Sequence, residues 1–203
     1  MSGVVLSRSD LRDADLPIYP GIALDRITVV VSAALAAQAL SALLAADAIG
    51  FDSESRPTFR KGEAATGPHL VQLASDTHAY LFPVSRTHDT AALKQILESR
   101  AVLKVGMGLD NDRSALKARL AIEPENLLDL GEALRGPGHR GTVGAKVAVA
   151  HFFGQKLQKS KKTGTSNWAN PQLSERQILY AANDAHVALR LYRAWLQSGR
   201  PLA

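Results

Sequence analysis

The chain has 203 residues, 46% of them apolar and 21% charged, with 24 basic against 19 acidic side chains and no cysteine. That is enough for one compact domain with little left for a second; the composition excludes disordered, collagen-like and coiled-coil classes, and the missing cysteines exclude a disulfide partner or a thiolate metal site. The net charge of +5 is local: no acid falls between Glu132 and Glu175, where Arg135, Arg140, Lys146, Lys156, Lys159, Lys161 and Lys162 lie, and removing those seven leaves 17 basic against 19 acidic residues. Such a segment points to a surface that faces a polyanion.

Residues 27–46 carry no formal charge over about the length of a membrane span, but eight of the 20 are alanine, and Ser32, Gln38 and Ser41 interrupt the run. Their pattern predicts a β-branched strand at 27–31 and then a helix at 33–46 with Leu35, Leu40, Leu43 and Leu44 toward a core. The first ten residues lack a basic start followed by an apolar run, so the expectation is a soluble, cytoplasmic protein with no membrane partner. A short strand is predicted at 48–52, and a polar loop at 53–68. HLVQLA (69–74) and AYLF (79–82) flank Ser75-Asp76-Thr77-His78, a hairpin pattern, so the sheet starts antiparallel.

Helical spacing follows at 89–100, with Leu93, Ile96 and Leu97 on one face and Asp89 or Thr90 as a cap. A strand at 101–105 ends at Gly106, a helix begins near 109–112, and 126–130 reads as a short strand. Residues 143–153 form a small-residue helix closed by Gly154, and 156–171 a basic loop. The longest helix spans 174–197, opened by Ser174. The predicted class is α/β, a mixed sheet flanked by helices.

Three places put acids where an apolar residue would be expected. Asp52 and Glu54 lie two apart at a strand end, so both project to one face. Asp112 stands in the first turn of a helix that follows a strand. Tyr180 and Asp184 are four apart on the last helix, hence on one face, with Ala181, Ala182 and Ala185 leaving room beside them. Each feature alone fits an edge, a cap or a half-buried aromatic. Together, several carboxylates without histidine or thiolate suit hard divalent cations, Mg²⁺ or Mn²⁺. The basic segment supplies what a polyanionic substrate needs.

FDSE (51–54), KVGMGLDND (104–112) and YAANDAH (180–186) resemble the three motifs of the DEDD superfamily of 3′-5′ exonucleases, over about residues 27–196. Tyr180 four before Asp184 matches the tyrosine subclass (DEDDy); Leu179 stands where the other subclass has histidine. Residues 151–185 are similar to Werner-type exonuclease domains more than to ribonuclease D. Met107 and Asn183 depart from the usual residues at their places.

The resemblance implies a ribonuclease H-like (DnaQ-like) mixed sheet with antiparallel hairpin strands. It implies one exonuclease domain over 1–203, its core about 27–197 and 1–26 an N-terminal extension. It implies two Mg²⁺ or Mn²⁺ ions: Asp52, Glu54 and Asp184 on the first, Asp52 bridging, Asp112 on the second, and Tyr180 orienting the attacking water. The expected reaction releases nucleoside 5′-monophosphates from single-stranded or recessed 3′ ends, with DNA slightly favoured over RNA. A ribonuclease D-like or short-oligoribonucleotide enzyme and a catalytically silent nucleic-acid-binding module are the alternatives. Lys156, Lys159, Lys161, Lys162 and Asn167 are candidate substrate contacts, as are Arg56, Phe59, Met107 and Trp168, the last equally readable as a packing residue.

Overall fold

A computed structural model describes residues 15–58, 66–86, 90–135 and 141–198. Three strands, β2 (Ala48–Glu54), β3 (Leu70–Ala74) and β4 (Ala79–Pro83), form the expected antiparallel meander. Beyond it β2 turns parallel, pairing with β5 (Leu103–Gly106), which pairs with β6 (Leu127–Asp129); β1 (Ile27–Val29) runs parallel to β4 at the far edge. The result is a six-stranded mixed sheet of order β1-β4-β3-β2-β5-β6.

Parallel neighbours need crossovers, and helices supply them. α1 (Ala33–Leu44) links β1 to β2, α2 (Ala91–Leu97) links β4 to β5, and α3 (Asp112–Leu120) links β5 to β6. These three cover one face, where Ile49, Phe51, Val71 and Leu73 meet Leu43, Leu93, Ile96 and Leu116. Leu44, expected in that core, is exposed, because one further step around the helix turns it away from buried Leu43. The apolar stretch 27–46 thus divides between a strand and an amphipathic helix, and no helix among the described residues is long and apolar enough to cross a membrane.

The opposite face is covered by α5 (Ala145–Phe153) and α7 (Glu175–Gln197), with the single turn α4 (Leu130–Ala133) after β6. A capping box opens α7: Ser174 Oγ accepts from Gln177 N at 3.3 Å, and Gln177 Oε1 accepts from Ser174 N at 3.0 Å. Its small face, Ala181, Ala182 and Ala185, lies flat on the sheet. Gly50 makes that approach possible, since a Cβ there would stand 1.9 Å from the Ala185 carbonyl oxygen.

One expectation needs correction. Residues 156–171 are not all loop: Ser160 caps a short helix, α6 (Lys161–Gly164), its hydroxyl accepting from Thr163 N. Ahead of β1, residues 17–22 are tied to later parts of the chain. Tyr19 N donates to the Lys156 carbonyl at 3.0 Å, Lys156 N to that of Pro17 at 2.8 Å, and Ile22 N to Asn183 Oδ1 at 2.9 Å. The Tyr19 ring stacks on Phe153 with centroids 5.7 Å apart.

Candidate active site

The pleat of β2 decides where its last residues point. Ile49 and Phe51 go into the core under α1, α2 and α3, so Asp52 and Glu54 project to the α7 side. There α7 delivers Asp184, 8% exposed. One carboxylate oxygen from each of Asp52, Glu54 and Asp184 lies within 4.8 Å of the other two.

Asp112 stands outside this group of three, on the first residue of α3, where its Oδ1 accepts a hydrogen bond from Ser53 Oγ. Ser53 alternates with the two acids and so faces the other way, holding the fourth acid from behind the strand. Asp112 is still near enough for its charge to raise the pKa of Asp52.

Burial and crowding dominate the electrostatics. Burial pushes Asp52 well above the usual carboxylate range, and the Asp184 charge adds to it. Burial, then Asp52 and Asp184, push Glu54 up to about 9. Asp184 is raised by burial, against the Lys159 charge and hydrogen bonds from Lys159 and Tyr180. Asp112 is raised by burial and partly relieved by Ser53. Three closely set oxygen donors, one buried and two half-buried, that resist ionising side by side are what a hard divalent cation relieves, so the donor set fits Mg²⁺ or Mn²⁺.

Tyr180 lies one turn before Asp184 on the same face of α7, near enough that the two groups shift each other's pKa. Burial, then the Asp184 charge, push its phenol up to about 12, so it is a proton donor at neutral pH. α6 packs directly on this ring: a Cβ on Gly164 would come within 2.7 Å of the Tyr180 hydroxyl. Trp168 fastens α6 there, its Nε1 donating to the Gly164 carbonyl at 3.1 Å and its ring 5.9 Å from that of Tyr180. At 2% exposure Trp168 is packed beside Tyr180 and α6 and has no free face on which a base could stack, against the expectation of a substrate contact.

The remaining candidates fall into four groups. Lys159 reaches the cluster, its Nζ 2.8 Å from Asp184 Oδ2, which composition did not separate from its neighbours. Lys156, Lys161, Lys162, Arg56 and Asn167 are exposed; Asn167 Nδ2 donates to Asn170 Oδ1, and Arg56 N donates to His69 Nδ1. Met107 is half-buried against the core beside β5. Phe59 lies outside the described residues.

Sequence reading missed four residues that shape the site. Ser53 and Gly164 are two. Asp129 accepts from Gly108 N, Leu109 N, Gly131 N and Glu132 N at 2.8–3.2 Å, tying the turn before α3 to the start of α4. An acid between LL and a helical LGEAL is a cap signal, visible in retrospect. Gln72 pairs with Asp52 across the sheet; it is fully buried, and neither side-chain amide atom has a partner among the described residues.

A sequence description of the 3′-5′ exonuclease family matches residues 27–197. Over 149 residues the chain is 30% identical to the bifunctional 3′-5′ exonuclease/ATP-dependent helicase WRN of Mus musculus, covering 72% of this chain and 11% of that protein. A 3′-5′ exonuclease of Arabidopsis thaliana is 27% identical over 147 residues, 71% of this chain and 51% of that one. The chain thus spans about half or less of the length of these relatives. Among solved structures, the Aedes aegypti Nibbler EXO domain superposes with a TM-score of 0.70 at 28% identity, covering 85% of this chain and 88% of that one. Escherichia coli RNase D shares the fold, with a TM-score of 0.68 at 24% identity, over 85% of this chain and 46% of that one. With its ribonuclease H-like sheet and a match that runs from β1 through α7, the chain belongs to the 3′-5′ exonuclease family.

Proposed function

We propose that the protein is a metal-dependent 3′-5′ exonuclease of the tyrosine subclass, hydrolysing terminal phosphodiesters to release nucleoside 5′-monophosphates. The observation that carries this is the convergence of Asp52, Glu54 and Asp184 within 4.8 Å, with Tyr180 one turn before Asp184 on the same face of α7. Asp52, Glu54 and Asp184 would hold one divalent ion, Asp52 also serving a second that Asp112 approaches from the α3 side. Bound there, Mg²⁺ or Mn²⁺ supplies the acidity that ionises a water and the charge that offsets the departing oxygen.

The protein's own groups do the rest. Tyr180, protonated at neutral pH, keeps its hydroxyl at the carboxylates and orients the water that attacks. α6 shields one side of that phenol and holds it still. Beside α6, Lys162, Arg176, Asn167 and Asn170 line a polar cleft of about 220 Å³, suited to the phosphate backbone of a single strand. DNA is slightly favoured over RNA as the substrate.

The test incubates the protein with Mg²⁺ or Mn²⁺ and 5′-labelled DNA and RNA, single-stranded and recessed. Stepwise shortening from the 3′ end is the expected outcome, lost on chelation. Asp52→Asn is expected to lower turnover by ~100-fold or more, and Tyr180→Phe by ~10²-fold with little change in substrate binding. An Asp52→Asn protein with undiminished metal-dependent activity overturns the assignment.

A further inference from the structure

Four lysines stand in the short run 156–162, and only Lys159 turns inward. Its Nζ sits 2.8 Å from Asp184 Oδ2, with side-chain exposures of 30% for the lysine and 5% for the acid. The same ammonium lies 5.5 Å from the centre of the Tyr180 ring, a cation–π contact. Among the charged groups of the described residues that act on Asp52, Glu54 and Asp184, it is the one that favours their ionised forms. Burial alone would lower the pKa of Lys159, yet the Asp184 charge and hydrogen bond raise it, so the ammonium stays charged.

We infer that Lys159 is a tethered counter-ion of the carboxylate cluster, held on Asp184 in the metal-free protein and displaced from it when a divalent cation loads. This rests on the reading of Asp52, Glu54 and Asp184 as metal ligands.

The charge count explains why the lysine is needed and why it gives way. One ammonium, held on Asp184, cannot balance three carboxylates whose oxygens lie within 4.8 Å of one another. Two divalent ions can. A cation that coordinates Asp184 competes with Lys159 for the same oxygen, and two positive charges at that separation repel inside a buried site. The backbone around Lys159 is well anchored. Lys156 is clasped between Pro17 and Tyr19, Leu157 is buried, and Ser160 caps α6. What can move is the four-carbon stem, so the exchange is a side-chain rotation and not a loop opening.

The experiment measures Mn²⁺ binding by calorimetry on the metal-free protein at neutral pH, without nucleic acid. Lys159→Met keeps an apolar stem against Tyr180 and deletes the charge; Lys159→Gln is the second variant, and exposed Lys146→Met on α5 the control. Both position-159 variants are expected to bind Mn²⁺ about tenfold more tightly than wild type, with a larger rise in melting temperature on adding Mn²⁺, and the control to match wild type. Unchanged or weaker Mn²⁺ affinity in both variants overturns the counter-ion role. So does weaker oligonucleotide binding with unchanged Mn²⁺ affinity, which would make Lys159 a phosphate contact alone. A wild-type protein that binds no Mn²⁺, or Asp184→Asn binding it as tightly as wild type, removes the metal-ligand reading itself.

Discussion

Ser53 lies between the two acids of β2 and does different work from either. Because successive strand residues alternate, its hydroxyl faces α3 and donates to Asp112, while its neighbours face α7. Ser53→Ala is expected to lower turnover by ~10-fold while costing only ~1 kcal/mol of stability, read from kinetics beside a urea melt. Gly164 acts through absence of a side chain. Gly164→Ala places a methyl 2.7 Å from the Tyr180 hydroxyl, so turnover should fall with little change in Mn²⁺ affinity. The motif acids and Tyr180 were legible in the sequence because their spacings of two and four follow strand and helix periods. Ser53 to Asp112 and Lys159 to Asp184 were not, because both contacts join different elements and no local period links them.

At the scale of elements, the site is the seam between β2 and α7, and its width is set by Gly50 and the alanine face of the helix. Ser174 helps to set where α7 begins; Ser174→Ala is expected to cost about 1 kcal/mol of stability, measured by chemical denaturation. Asp129 joins three further elements. Replacing it with Ala leaves four backbone amides without their acceptor and should destabilise by about 2–3 kcal/mol, and a loss under ~0.5 kcal/mol would show that water replaces it. The exposed lysines of α6 belong to this scale too. Lys161→Glu with Lys162→Glu is expected to weaken oligonucleotide binding and flatten its dependence on salt concentration, since fewer counterions are then released. Helix and strand order was readable from apolar periodicity. α6 was not, because its four residues hold no apolar stripe and only the Ser160 cap marks it.

Across the whole molecule, the cluster links protonation to stability. Glu54 binds its proton up to about pH 9 in the folded protein, against an ordinary value of 4.5, and Asp52 and Asp184 are displaced the same way. The folded state therefore holds protons that the unfolded chain has released. Metal-free stability is undiminished below the unfolded values and falls as pH rises from there toward 9. Divalent ions held by the ionised forms would reverse that loss. The gain in melting temperature on adding Mn²⁺ should be larger at about pH 8 than at about pH 6; equal gains would mean that the acids are already ionised in the metal-free fold. The formal charge of +5 divides accordingly. Its basic excess lies in residues 135–162, and that run passes beside the acids through Lys159 and α6.

The sequence by itself determined the strands and longer helices, the acids and the tyrosine, because strand and helix periods and the order of three motifs are local properties of the chain. Only the tertiary structure decided which of these residues meet. It gathered Asp52, Glu54 and Asp184 and held Asp112 apart on Ser53. It took Trp168 out of the substrate's reach and drew one lysine of four into the carboxylates. The reason is that these choices depend on how closely α7 and α6 pack on β2, and that distance is set by side-chain volumes on separate elements, not by any spacing along the chain.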